Sequence, residues 1–326
     1  MVKVVQTTGP GGIEVLTVAS VKLDPPAAGE VLLRQTAVGV NLIDLYHRTA
    51  TEGQYAIAHP AILGVEAAGV IEQVGPGVVD FSVGDRVAYC MVRGAYAQKR
   101  LIPASRLVKL PDFISDEQAA ACMVKGITAY YLLHRIHAVR HGDTLLVHAA
   151  AGGVGQMLCR WAKHLGATVI GTVGSTDKLP IAQAAGCDHV VLHNQGDFAA
   201  RVKELTAGRG VDAAYDSIGK DTFFRSLDCL RPLGLMVSYG QASGAVPPFD
   251  IGVLAQKGSV FLAKPTLATF VQDAAELRLL ADGVFEAIRK GAIRVDIQRR
   301  ANLDDVAAVH ADLESRKPLG PIVIVP

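Results

Sequence analysis

Two textures of apolar and polar residues follow one another along the chain. Up to residue 110, short apolar runs such as Val31-Leu32-Leu33 and Val87-Ala88-Tyr89 sit between turn signals: Gly9-Pro10-Gly11-Gly12, Pro25-Pro26, Gly29-Glu30, Gly75-Pro76-Gly77 and Gly84-Asp85. Runs of that length between Gly, Pro and Asp predict a compact, mostly β unit. From Asp116 the period becomes helical, with helices expected over Glu117–Met123 and Thr128–His137. Strands are then expected near 145–149, 168–173, 189–192, 211–217, 234–240 and 259–263, with helical stretches between most of them. That alternation predicts a six-stranded parallel, doubly wound α/β sheet. Beyond Pro265 the pattern gives an amphipathic helix (Leu277–Arg289), a β segment near Val295–Ile297, a helix over Asp304–Glu314 and a last strand, Ile322–Val325. This tail is too short to fold alone and is expected to complete the N-terminal β unit. The division is thus 1–124 with 265–326 for one domain and 125–264 for the other.

The segment Thr144-Leu-Leu-Val-His-Ala-Ala-Ala-Gly-Gly-Val-Gly155 reads as strand, glycine turn and helix start in immediate succession. Leu145, Leu146 and Val147 suit a strand covered on both faces. Gly152, Gly153 and Gly155 remove side chains where a backbone must bend sharply and approach a ligand closely. Free N–H groups at the helix start would then face a phosphate. Ala150-x-Gly152-x-x-Gly155 is a dinucleotide-binding fingerprint with Ala in place of its first Gly. The plainer alternative is a tight turn in any α/β protein. After the second strand, where an NAD site places Asp or Glu, stands Gly174-Ser175-Thr176-Asp177-Lys178. Gly174 leaves room and brings no charge, Ser175 and Thr176 can donate hydrogen bonds, and Lys178 supplies a cation. The set suits a 2′-phosphate, and so NADPH over NADH; otherwise Lys178 is an ordinary solvated residue. Asp177 is discordant with a phosphate site and is expected as the N-cap of the next helix.

Composition narrows the class. The chain is 50% hydrophobic but 6% aromatic, as a covered parallel sheet would be. Its 32 basic and 31 acidic residues give a net charge of +1 with no basic block, so nucleic-acid and anionic-membrane binding gain no electrostatic support. No signal-peptide core or membrane-length apolar stretch is seen. Cys90, Cys122, Cys159, Cys187 and Cys229 are scattered with no C-x-x-C, and read as reduced, buried small hydrophobes of a cytoplasmic protein.

A β unit with its parts at both ends of the chain, around a nucleotide-binding domain, resembles the medium-chain dehydrogenase/reductase superfamily. Within it the chain is similar to the zinc-free quinone oxidoreductases related to zeta-crystallin. The matching segments are Gly39-Val-Asn-Leu-Ile-Asp44, Gly64-Val-Glu-Ala-Ala-Gly-Val-Ile71, Val83-Gly-Asp-Arg-Val87, His148 to Gly155, Tyr215-Asp-Ser217 and Leu235-Met-Val-Ser-Tyr-Gly240, in order along the chain. The resemblance implies a GroES-like, mostly-β domain plus a doubly wound, six-stranded Rossmann domain. It also implies an NADPH:quinone oxidoreductase. It places Asn41, Asp44 and Tyr46 around the nicotinamide and the substrate cleft, with Asn41 orienting the carboxamide or the substrate oxygen. Tyr46 would stack on the ring or donate a proton. On the residues alone, Asp44 is equally a helix cap and Tyr46 a packing residue beside Ile43 and Leu45. Thr128, preceded by Lys125-Gly126, matches a position near the diphosphate or nicotinamide ribose. Ala150, Ala151, Gly152, Gly153 and Val154 form the phosphate loop, and Gly174, Ser175 and Lys178 the 2′-phosphate site. Ser217 and the run Tyr239, Gly240, Gln241 and Ala242 follow the fourth and fifth strands, at the crevice where such sheets bind ligands. Lys264 and Arg316 match cationic positions. His193 stands where relatives often have Tyr against the adenine; the alternative is a surface residue after a strand.

Zinc alcohol dehydrogenases of the superfamily carry Cys where this chain has Asn41 and His where it has Val65, and neither replacement is a zinc ligand. The four close cysteines of their structural zinc lobe are also missing, so no metal is expected. The acceptor must then take hydride readily, as a quinone does, or alternatively an enone or alkenal. A second class of function is a cofactor-gated RNA-binding or structural protein, which the missing basic patch disfavours. Ser259–Ala263 should be the outermost strand of the nucleotide sheet, which superfamily members pair across a two-fold axis. The expected assembly is a homodimer, or a tetramer of stacked dimers.

Overall fold

In a computed structural model of the 326-residue chain, all residues are described here except Arg316, Pro318 and Leu319. Two compact units result, one of Met1–Ile127, Phe270–Arg289 and Val295–Pro326, the other of Thr128–Thr269 with Lys290–Arg294.

The first unit is built on the ten-residue strand Glu30–Gly39, which pairs antiparallel with Glu66–Val74, Lys99–Pro103 and Ile322–Val325. Arg86–Cys90 and Val108–Lys109 extend the sheet on one side, and Arg299–Asn302 closes the other, parallel to Ile322–Val325. A three-stranded sheet of Val2–Thr7, Leu16–Val21 and Ala61–Ile62 completes the strands. Alternation of inward residues along these strands buries Val31, Leu33, Ile71, Tyr89, Ile102 and Ile324 in one core.

Two expected elements are replaced by others. A single helix, Asp116–Tyr131, replaces the two expected, and continues as a π-helical turn over Leu132–Ile136. Gly126 does not break it, because that glycine lies against helix Ala274–Arg289, where an added Cβ would come within 2.6 Å of Val284 Cγ1. The β segment expected near Val295–Ile297 is absent there; the strand is Arg299–Asn302, since the ladder offered by Ile322–Val325 starts opposite Arg299.

The second unit is the six-stranded parallel sheet. In chain order its strands are Thr144–Val147, Thr168–Val173, His189–Leu192, Val211–Asp216, Leu230–Ser238 and Phe261–Ala263, arranged 3-2-1-4-5-6. The last is shorter than the expected 259–263 because Ser259 takes a left-handed backbone, φ 55°. Leu146, Ile170, Ala214 and Met236 from four strands meet Phe198, Val202, Phe223 and Leu227 from two helices in its core. That strand order reverses between the first and fourth strands, the switch point at which doubly wound sheets bind ligands.

Candidate active site

In the second unit the turn after the first strand is a cradle. Ala149 adopts a left-handed φ of 51°, and its carbonyl accepts from Gly152 N at 2.8 Å. A Cβ on Gly155 would lie 2.2 Å from that same oxygen, and one on Gly152 3.1 Å away. Glycine at position 155 therefore lets helix Gly153–His164 start where it does. Its N-cap, Gly152, supplies no side-chain acceptor and its first turn holds no acidic residue, so the positive helix end is left for an external anion. Ala150, in place of the fingerprint's first glycine, is buried, and Gly171 on the neighbouring strand makes room for its methyl group. A Cβ on Gly171 would come within 2.8 Å of Ala150 Cβ.

The second strand leads to Gly174, Ser175 and Lys178. A Cβ on Gly174 would sit 3.2 Å from His193 Cε1, so the imidazole lies beside this glycine, and Asn194 Nδ2 donates to its carbonyl at 2.8 Å. Asp177 is not the expected N-cap. One 3₁₀ turn, Thr176–Lys178, intervenes, and the cap position of helix Leu179–Ala184 falls to Lys178. Asp177 is exposed instead, and a hydrogen bond from Ser175 holds its carboxyl below its usual range. The loops after the fourth and fifth strands zip together: Tyr239 N donates to Asp216 O at 2.9 Å and Ala242 N to Ser217 O at 3.0 Å. Gly240 permits this, since a Cβ there would lie 2.6 Å from Ser217 O. Gln241 accompanies them in the same loop, and Gly244 N donates to its carbonyl at 2.9 Å. Lys264 Nζ lies 3.4 Å from Ser238 Oγ at the sheet's edge, and Thr128 is buried. Arg316 lies outside the described residues. Glycines shaping both the loop and the strand-end turns, with an uncapped helix start, fit a dinucleotide.

The first unit holds a second cluster. Asn41, Glu66 and Lys125 are 7%, 0% and 6% exposed. Asn41 Nδ2 donates to Glu66 Oε1 at 2.7 Å, and Asn41 Oδ1 accepts from Lys125 Nζ at 2.8 Å. Lys125 Nζ also donates to Glu66 Oε1 at 3.0 Å and Val40 O at 3.2 Å, while Glu66 Oε2 accepts from Val124 N at 2.6 Å. Gly39 lets strand and helix approach here: a Cβ would lie 2.0 Å from Ala120 O.

Asp44 reaches back from helix Leu42–Thr49 to accept from Asn41 N at 2.9 Å, as the N3 residue of a capping box whose N-cap is Asn41. The same oxygen, Oδ2, accepts from Tyr96 OH at 3.0 Å, while Oδ1 is buried with no hydrogen-bond partner among the described residues. Burial pushes this carboxyl up to about 7 against those two bonds. Behind Tyr96 stands His310, Nε2 at 2.9 Å from the phenol oxygen and Nδ1 at 3.2 Å from Arg48 Nη1, and Arg48 pairs with Glu314. Arginine only donates, so Nδ1 accepts and Nε2 carries the proton; every bond in the chain Arg48–His310–Tyr96–Asp44 then points towards Asp44. Burial holds His310 down to about 3, so it stays neutral. Tyr46 is half-buried, its ring 5.1 Å from that of Tyr55.

Sequence reasoning missed Lys125, Tyr96 and His310. The one available signal was a lone cation in the apolar helical run Ala119-Ala-Ala-Cys-Met-Val-Lys-Gly-Ile127. Its charge also disfavours zinc. An ammonium 2.8 Å from Asn41 Oδ1 would repel a divalent ion beside that residue, and Val65 offers no ligand. Among the described residues no group of His, Cys, Asp and Glu has the spacing of a metal site.

The profile of the alcohol dehydrogenase GroES-like domain matches residues 27–112, and that of zinc-binding dehydrogenases matches residues 153–274. A quinone oxidoreductase of Pseudomonas aeruginosa is 43% identical over 328 aligned positions that cover 100% of both chains. The chain belongs to the quinone oxidoreductase family. As a member, it joins a GroES-like domain to a Rossmann-type nucleotide-binding domain. A 2-haloacrylate reductase of a Burkholderia species is 44% identical over 97% of this chain and 96% of its own. Among solved structures, the Escherichia coli quinone oxidoreductase complexed with NADPH matches with a TM-score of 0.95 and 41% identity, over 99% of this chain and 100% of that one.

Proposed function

We propose that the protein is an NADPH:quinone oxidoreductase that passes reducing equivalents from the nicotinamide to a quinone without a metal. The observation that carries this is the buried cluster of Asn41, Glu66 and Lys125: its residues hold an amide and an ammonium and exclude a Lewis acid, so the acceptor must contain its own electron sink. A quinone does. NADPH, when bound, supplies the hydride. The uncapped start of helix Gly153–His164 receives the diphosphate, and Gly174, Ser175 and Lys178 receive the 2′-phosphate, with His193 beside the adenine. Thr128, Ser217, Tyr239 to Ala242, Lys264 and Arg316 are the remaining proposed contacts. Asn41 retains one N–H and one lone pair for the carboxamide or substrate oxygen, and Tyr46 is the proposed proton donor. The family's NADPH-complexed members support the cofactor assignment.

A second reading, reduction of an activated alkene, is favoured by the 44% identical 2-haloacrylate reductase. NADPH oxidation should be measured against benzoquinones, naphthoquinones, enones and 2-haloacrylates, with NADH as control. Quinones are expected to give the highest kcat/KM with NADPH. A preference for haloacrylates would transfer the assignment to the second reading, and turnover of none would remove the enzymatic one. The five cysteines are all buried and unpaired, which supports a reducing, cytoplasmic setting. For assembly we propose a homodimer through the edge strand Phe261–Ala263.

A further inference from the structure

The Asn41 carboxamide could sit in its pocket in either of two orientations, and its neighbours permit one. Lys125 Nζ has three N–H groups and no acceptor capacity, and all three are directed at Val40 O, Asn41 Oδ1 and Glu66 Oε1. Ionised Glu66 only accepts, and takes Asn41 Nδ2 and Lys125 Nζ on Oε1 and Val124 N on Oε2. Turning the amide over would place its N–H₂ against the ammonium and its oxygen against the carboxylate. Both contacts would then repel, in a pocket too buried for water to rescue them. Lysine spends every donor on the protein, so it has none to offer a substrate.

We propose that Lys125 is a positioning residue for hydride transfer: paired with Glu66, it locks the Asn41 carboxamide so that one defined N–H and one defined lone pair are offered to the reacting partner. This presupposes the reductase function above, with Asn41 at the reacting end. A flexible Asn41 would present donor and acceptor interchangeably and bind both the nicotinamide amide and the substrate oxygen without discrimination. Locked, it accepts one arrangement of partners.

The chain contains three asparagines, Asn41, Asn194 and Asn302. Protein labelled with ¹⁵N-asparagine therefore gives three side-chain NH₂ pairs, and Asn41→Ala identifies its own by loss. In the wild type the Asn41 pair is expected to be well separated and slow to exchange with solvent. In Lys125→Met it should move towards the free-amide position and exchange at least tenfold faster. If Lys125→Met fails to fold because Glu66 is left as a lone buried charge, Lys125→Met with Glu66→Gln removes both charges and carries the same expectation. In turnover, losing the lock should lower kcat roughly 10- to 100-fold, about 1.4 kcal/mol per tenfold, while the Kd for NADPH stays within twofold. Combined with Asn41→Ala, Lys125→Met should add no more than twofold, because it acts through that residue. An unchanged Asn41 NH₂ pair in the lysine variant overturns the proposal, and so do losses that multiply in the double variant. Absence of quinone turnover by the wild type, with NADPH still bound, would count against the function alone; the NH₂ exchange rates would still decide the lock.

Discussion

Lys178 and Gly174 set the choice of cofactor if they hold the 2′-phosphate. Lys178→Ala removes a charge-assisted bond worth about 1.5–3 kcal/mol, so NADPH affinity should fall roughly 10- to 100-fold and NADH affinity should hardly move. Gly174→Asp should reverse the preference: a carboxylate repels the phosphate and accepts from ribose hydroxyls, and its Cβ needs only a slight yield from His193, 3.2 Å away. Nucleotide fluorescence titration of both variants with both cofactors checks this; parallel losses would mean damaged backbone and a misplaced pocket. Asp44 gives a prediction in pH. Its carboxyl is raised from 3.8 to about 7, so the folded protein holds that proton more tightly than the unfolded chain. Its contribution to stability is complete below about pH 4 and is lost as pH rises through 7, by up to roughly 1 kcal/mol per pH unit. His310, lowered from 6.5 to about 3, works in the opposite sense, so the wild-type profile alone mixes the two. Thermal melts of wild type against Asp44→Asn isolate the carboxyl: the wild type should lose stability relative to the variant between about pH 4 and pH 7. A constant difference would show that Asp44 is ionised throughout.

Helix starts and strand ends carry the proposed nucleotide site, and they respond differently from side chains. Gly155→Ala forces a methyl group to 2.2 Å from Ala149 O, so the first turn of helix Gly153–His164 must shift. NADPH and NADH binding should weaken together, at least tenfold, with the melting temperature lowered by a few degrees; calorimetric titration beside a thermal scan tests it, and a selective effect on NADPH would contradict it. This is also the scale at which the sequence was most legible. The apolar runs Leu145–Val147 and Val169–Val173 and the glycines after the first read as they fold, because strand burial and close backbone approach leave direct marks in composition. The gap expected between Met123 and Thr128 is filled by helix because Gly126 packs against Val284, a partner distant in the chain. Arg299–Asn302 was missed because its strand identity comes from a partner at Ile322–Val325 and not from its own polar Arg-Arg-Ala-Asn. The site divides likewise. Asn41 stands out in the sequence as a departure from a metal-ligand position, whereas Lys125, Tyr96 and His310 join the candidate site through burial beside residues distant in the chain, which no local pattern encodes.

For the whole molecule the proposed assembly follows from one edge. Among the described residues Phe261–Ala263 pairs only with Leu230–Ser238, leaving Phe261 60% and Leu262 37% exposed on an open strand. Phe261→Glu should convert a dimer into a monomer by light scattering at micromolar concentration while each chain keeps its melting behaviour; a wild-type monomer would remove the proposal. The two units also differ in how they are strung. The nucleotide sheet is drawn from one continuous stretch, Thr144 to Ala263, whereas Ile322–Val325 inserts between Arg299–Asn302 and Glu30–Gly39. A ribosome delivers these parts in a fixed order. The nucleotide sheet can close while synthesis is still under way, but Val38 and Gly39 wait with an unpaired edge until Val323 and Ile324 emerge. Glu30–Gly39, made early, is thus among the last strands to be finished, and during that interval the nascent chain is exposed to mispairing.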